Sequence, residues 1–217
     1  MKIRSALIVG ASGLIGGYCL RAILDDPAYT EVTVLVRKPI PITHIKLKAI
    51  VTDFSDLEQV LAPVSARDIF CCLGTTINKS GSQKAFRKID LDLVLSVAGI
   101  MKRRGAEQFL VISSMGAARD AKAFYSRTKG EMELDLRGIG YDCLRILRPS
   151  LLLGKRPEFR LGERIGGMLA PLITPLMLGK LKRYAPVQAE SVAYFMVKVA
   201  KDEPSMGVHI YESDLLR

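Results

Sequence analysis

Tryptophan is absent from this chain of 217 residues, and histidine occurs only twice, at His44 and His209. The two lie far apart with no cysteine or carboxylate at ligand spacing, so no metal site is expected. Cysteine is scarce too: Cys71 and Cys72 are neighbours in an apolar run, and Cys19 and Cys143 stand alone in periodic segments. That is no disulfide framework; it reads as buried thiols in a reducing compartment, and a cytoplasmic location is expected. No apolar run reaches the roughly 18 residues of a membrane span. The run from Ala6 behind Lys2 and Arg4 is too short for a signal-peptide core and passes at once into a glycine motif. No repeat or low-complexity tract is visible. A composition 49% hydrophobic and 25% charged excludes disordered, collagen-like and disulfide-stapled classes. A chain this long buries roughly 70% of its surface in one core, so residues 1–217 are expected to form a single domain.

What is present is an alternation of two periodicities. Apolar or β-branched runs suit buried strands at Ile3–Val9, Val32–Val36, Ala49–Val51, Asp68–Leu73, Gln108–Ile112, Tyr141–Leu147 and Val208–Tyr211. Helical spacing marks Gly13–Leu24, Asp56–Leu61, Ser82–Arg104, Lys122–Arg137 and Ala189–Lys201. Strands alternating with helices predict right-handed βαβ units in an α/β, doubly wound parallel sheet. After Pro149 the chain becomes rich in proline and glycine, and residues 151–186 are expected to form a small irregular cap over the substrate.

Charge is uneven. Between Arg145 and Arg183 nine basic residues face only Glu158 and Glu163, which is +7 of the net +10. This points either to an anionic ligand or surface or to a solvated basic face. Nothing there resembles a nucleic-acid recognition pattern, so no sequence-specific nucleic acid is expected. The stretch Met168–Leu178, with Lys180, Lys182 and Arg183 after it, could touch a membrane surface; its prolines favour a lid instead.

The segment Gly10-Ala11-Ser12-Gly13-Leu14-Ile15-Gly16 joins the first strand to the first helix. Glycines there permit a tight turn and close approach of a pyrophosphate, and the helix N-terminus favours negative charge. At the end of the second strand, where a protein selecting NAD offers an acid to the ribose, this chain has Arg37 and Lys38. A guanidinium grips a 2′-phosphate that an acid would repel, so NADP(H) is expected over NAD(H). Tyr125 and Lys129, four apart, share one helix face, and only this Tyr/Lys pair follows a strand ending in Ser113-Ser114. Tyr194 and Lys198 repeat the spacing on an apolar helix and read as packing.

Taken together, these motifs resemble the short-chain dehydrogenase/reductase superfamily. The match is closer to its atypical branch, typified by the Tat-interacting tumour-suppressor protein and its bacterial relatives. Phe70-Cys71-Cys72-Leu73-Gly74-Thr75-Thr76, Ser113-Ser114-Met115-Gly116-Ala117 and Arg148-Pro149-Ser150 before Gly154 complete the match. The resemblance implies a Rossmann-like fold. It also implies that Gly10, Ser12, Gly13, Leu14, Ile15 and Gly16 hold the pyrophosphate, with Arg37 and Lys38 near the 2′-phosphate and Asp53 and Phe54 facing the adenine. Leu73, Gly74 and Thr75 would line the adenosine and ribose side, Pro149 and Ser150 would meet the nicotinamide amide, and Ser113 would be a further cofactor-binding residue. Ser114 would position a substrate carbonyl and Tyr125 donate the proton. Lys129 would bind the nicotinamide ribose and make the phenol a better acid. One departure stands out: where many members carry a proton-relay Asn, this helix reads Ile89-Asp90-Leu91-Asp92. The expected activity is hydride transfer between NADP(H) and a small carbonyl or alcohol substrate; the alternative is an NADP(H)-binding regulatory or scaffold protein.

Overall fold

The computed structural model describes residues 3–154, 183–202 and 206–217. Seven parallel strands form one sheet in the order β3-β2-β1-β4-β5-β6-β9: β1 (Arg4–Val9), β2 (Tyr29–Val36), β3 (Leu47–Val51), β4 (Asp68–Cys71), β5 (Gln108–Ile112), β6 (Cys143–Arg148) and β9 (Gly207–Glu212). Two short strands, β7 (Leu152–Leu153) and β8 (Val187–Gln188), pair with each other where the cap begins and ends. The rest of that expected cap, residues 155–182, lies outside the described residues, as do Met168–Leu178 and six of the nine basic residues counted above.

Alternation along the buried strands sorts the core into two layers. Ala6, Ile8, Val34, Phe70 and Leu110 face helices α1 (Leu14–Asp25) and α7 (Ala189–Lys201). Leu7, Val9, Leu35, Ile69, Phe109 and Ile146 face the opposite layer, built by α2 (Leu57–Leu61), α5 (Leu93–Arg103) and α6 (Phe124–Ile139). At the amino ends of the strands the fully buried Asp68 accepts hydrogen bonds from Arg4 (3.0 Å), Tyr29 (2.8 Å) and Gln108 (2.8 Å), tying β1, β2, β4 and β5 together. Burial and that carboxylate push the Tyr29 phenol far above its ordinary value. The strand order reverses between β1 and β4, so the crevice beyond their carboxyl ends is where such a sheet receives a ligand.

Two expectations are refined. The long helical stretch from Ser82 to Arg104 is present, but a π turn over Lys88–Asp92 divides it into α4 (Gln83–Arg87) and α5, and the unforeseen short α3 (Ile77–Ser80) precedes it. A π turn admits one extra residue and swings side chains off the helical face, which is how an aspartate in this run comes to point inward. The basic stretch is also not one solvated face. Arg145 is only 2% exposed and donates to the Tyr211 hydroxyl at 2.9 Å, while Arg148 pairs with Glu133 and Glu212.

Candidate active site

The turn after β1 is built by absent side chains. Gly10 has φ +88°, and a Cβ there would lie 2.6 Å from the Cys72 carbonyl oxygen; one on Gly16 would lie 2.1 Å from the Gly10 oxygen. These close approaches draw the first turn of α1 under the ends of β1 and β4. Gly13 is different. A Cβ there meets only the Gly10 oxygen, at 3.1 Å, and Gly13 and Ser12 are exposed. Gly13 is the N-cap of α1, no side chain caps that end, and no acid lies in the first turn. Leu14 is partly buried, and Ile15 is buried against the core. Backbone amides and an open glycine face at a helix N-terminus fit a pyrophosphate.

Arg37 and Lys38 follow β2 directly, both exposed and making no described ion pair. Beyond β3, Asp53 accepts from the Ser55 amide at 2.9 Å, and its hydrogen bonding to Ser55 holds the carboxyl below its ordinary value. Phe54 sits at φ +66°, a region that side chains rarely adopt, with its amide bonded to Thr52 Oγ1. That strain fixes the ring at the rim of the same core layer that Leu73 covers after β4. Gly74 is exposed, and the Thr75 amide donates to Asp90 Oδ2 at 2.9 Å.

Gly130 lets α6 touch the loop after β5: a Cβ would lie 2.2 Å from the Ala118 carbonyl carbon. This close packing sets the helix that carries Tyr125 and Lys129. Tyr125 is 36% exposed and its ring rests on the buried Phe86, centroids 5.4 Å apart. Lys129 is 2% exposed; its Nζ lies 2.8 Å from Asp90 Oδ1 and donates to the Ile112 carbonyl at 3.4 Å. Desolvation works against its charge, yet Asp90 and Tyr125 outweigh it and hold the ammonium above its ordinary value. Of the two serines after β5, Ser113 donates to Glu133 Oε1 at 2.5 Å, whereas the buried Ser114 Oγ has no hydrogen-bond partner among the described residues. A buried polar atom left without a partner in the loop after β5 fits a bound oxygen.

On the β6 side, the Pro149 carbonyl accepts from the Met115 amide at 3.0 Å. The Ser150 hydroxyl donates to Ala185 at 2.7 Å and accepts from Ser213 at 2.8 Å. Both residues therefore join the loops that wall the crevice, and the Ser150 hydroxyl is committed to that task. The look-alike pair lies at the opposite end of the sheet, where Tyr194 and Lys198 line a cleft with Arg4, Asp26 and Lys201. Tyr194 is 55% exposed, which corrects the expectation that it packs in the core.

Sequence reasoning missed Asp90, Glu133 and Phe86 as supports. Glu133 was signalled by its place four residues beyond Lys129 on the same helix, and Asp90 by being an acid within an apolar run. Among the described residues no group of three or more His, Cys, Asp or Glu could hold a metal ion. No described helix is long and apolar enough to cross a membrane.

A family described as NAD(P)H-binding matches residues 10–162. Protein FMP52, mitochondrial, of Eremothecium gossypii is 32% identical over 211 residues, covering 96% of this chain and 94% of its own. Protein HTATIP2 of Rattus norvegicus is 34% identical over 167 residues, covering 75% of this chain and 69% of its own. Among solved structures, the oxidoreductase ylbE from Lactococcus lactis superposes with a TM-score of 0.70 at 15% identity, over 98% of this chain and 94% of its own. The UDP-glucose 4-epimerase of Thermotoga maritima does so with a TM-score of 0.71 at 15% identity, over 96% and 76%. The last two likenesses concern the fold alone. The mitochondrial names of FMP52 relatives from several fungi overturn the cytoplasmic expectation, which rested on reduced thiols and the lack of a signal-peptide pattern. With the family match spanning well over half of its length, the glycine turn and the parallel sheet in place, the chain belongs to the NAD(P)H-binding family and is a homologue of HTATIP2.

Proposed function

We propose that the protein is an NADP(H)-dependent oxidoreductase acting on a small carbonyl or alcohol, with residues 1–217 as one domain and 151–186 as its substrate cap. The observation that carries this reading is a buried Lys129 ammonium that senses the exposed Tyr125 and reaches the carbonyl at the end of β5, two residues before a buried Ser114 hydroxyl with no partner among the described residues. A bound nicotinamide would supply the hydride in carbonyl reduction or take it up in alcohol oxidation. The residues of the chain do the rest: Ser114 holds the substrate oxygen, and Tyr125 gives it a proton or removes one. Gly10, Ser12, Gly13, Leu14, Ile15 and Gly16 seat the pyrophosphate. Asp53, Phe54, Leu73, Gly74 and Thr75 line the adenosine side, and Ser113 and Pro149 shape the nicotinamide side. The Tyr125→Phe comparison argued below tests the reading.

The cofactor preference rests on Arg37 and Lys38, two exposed cations at the end of β2. Arg37→Asp replaces a phosphate-pairing group by a repelling one, so NADPH affinity should fall between about 10- and 10²-fold, with NADH affinity little changed. Equal losses for the two nucleotides in titration calorimetry would remove Arg37 from the 2′-phosphate site.

A second reading, an NADP(H)-binding regulatory protein, draws support from the Asp90–Lys129 ion pair, because a cation already neutralised gives less help to a reacting oxygen. Tight NADPH binding without reduction of any compound on a broad carbonyl panel would favour it.

A further inference from the structure

The run Ile89-Asp90-Leu91-Asp92 brings one of its acids into the core. Asp90 is fully buried, on the π turn between α4 and α5, and its two oxygens face different elements. Oδ1 meets Lys129 Nζ from α6 at 2.8 Å; Oδ2 takes the Thr75 amide of the loop after β4 at 2.9 Å. A Cβ on Gly74 would stand 3.7 Å from Oδ1, so the carboxylate lies directly behind the exposed backbone of that loop. We propose that Asp90 is a positioning residue: its carboxylate keeps the buried Lys129 an ammonium and ties it to the Leu73–Thr75 loop. The cation offered to a dinucleotide is then one half of an ion pair. The inference rests on the reading of Lys129 as the cofactor-side cation only for its consequence in binding; the protonation of Lys129 stands by itself.

The groups around Lys129 make Asp90 decisive. From β4 comes Cys71, whose thiol is pushed up to about 12 by burial and so carries no charge at neutral pH. From β5 comes a neutral carbonyl, that of Ile112. From its own helix comes Tyr125, which raises the Lys129 value less than Asp90 does. Asp90 is the one anion that ion-pairs with Lys129 among the described residues. Desolvation opposes the charge of Lys129, and burial alone lowers a lysine by up to about 3–5 pKa units.

The test is an NMR titration of protein carrying ¹³Cε-lysine, with the Lys129 signal assigned by its loss in Lys129→Met. In the parent, Lys129 should stay charged past the ordinary lysine value of about 10.4. In Asp90→Asn, which keeps the side-chain shape and removes the charge, it should titrate at least about 2 units lower. NADPH affinity of that variant, set against the parent at each pH, should then fall as pH rises through the new value. An Asp90→Asn titration coinciding with that of the parent would overturn the proposal. If the variant does not fold, the parent decides alone: a Lys129 that loses its proton well below the ordinary value overturns the idea. A parent that binds neither NADPH nor NADH would sink the dinucleotide reading, while the lysine titration would still decide what Asp90 does.

Discussion

Tyr125→Phe should lower turnover by about 10²-fold or more while leaving folding and NADPH affinity in place. The substitution removes one oxygen atom from a ring whose packing against Phe86 is unchanged, so little stability is at stake. A loss of that size corresponds to about 2.7 kcal/mol of transition-state stabilisation. Lys129→Met is a poorer probe than its place beside the tyrosine suggests. It strands the buried Asp90 carboxylate without its counterion, and breaking a buried pair in this way costs about 3–5 kcal/mol of stability. Tyr194→Phe, at the same helical spacing but at the far end of the sheet, should change neither rate nor affinity. The measurement is loss of NADPH absorbance over a carbonyl panel, with all variants beside the parent. A Tyr125→Phe protein that keeps the parental rate would show that another group handles the proton.

The second large effect separates two glycines only three residues apart. Gly13→Val should abolish nucleotide binding and leave a folded protein. The backbone at Gly13 is extended, at φ −81° and ψ 173°, a conformation valine accepts, and its Cβ would meet only one atom, 3.1 Å away. The added side chain would instead occupy the open face that the pyrophosphate is assigned. Gly16→Ala should do the reverse, failing first in stability. Its Cβ would stand 2.1 Å from the Gly10 oxygen and 3.0 Å from Ala11 Cα, both backbone atoms that cannot rotate away. Overpacking of this kind costs at least about 1–3 kcal/mol. Thermal melts with and without NADPH distinguish the two. A Gly13→Val protein that NADPH still stabilises would place the nucleotide elsewhere.

The sequence by itself determined the parallel sheet and the cofactor crevice, because both depend on local patterns. Buried parallel strands must be apolar on both faces, and a turn that passes beneath a neighbouring backbone must lack side chains. Hence Arg4–Val9, Gln108–Ile112 and the glycine turn were legible from composition and spacing alone. Tyr125 and Lys129 were legible as a helical pair, and their difference from Tyr194 and Lys198 was carried by the neighbouring serines. What the tertiary structure decided is the electrical state of that pair. Asp90 lies 39 positions before Lys129 on a different element, and no periodicity links residues so far apart. They meet because a π turn rotates Asp90 inward and Gly130 lets α6 close on the loop after β5. The same holds for Arg145 and Arg148, whose sequence left open whether they meet an anionic ligand or surface or simply water. Their exposure was settled by strands and helices packing around them, and with it whether each cation faces water, a carboxylate or a hydroxyl.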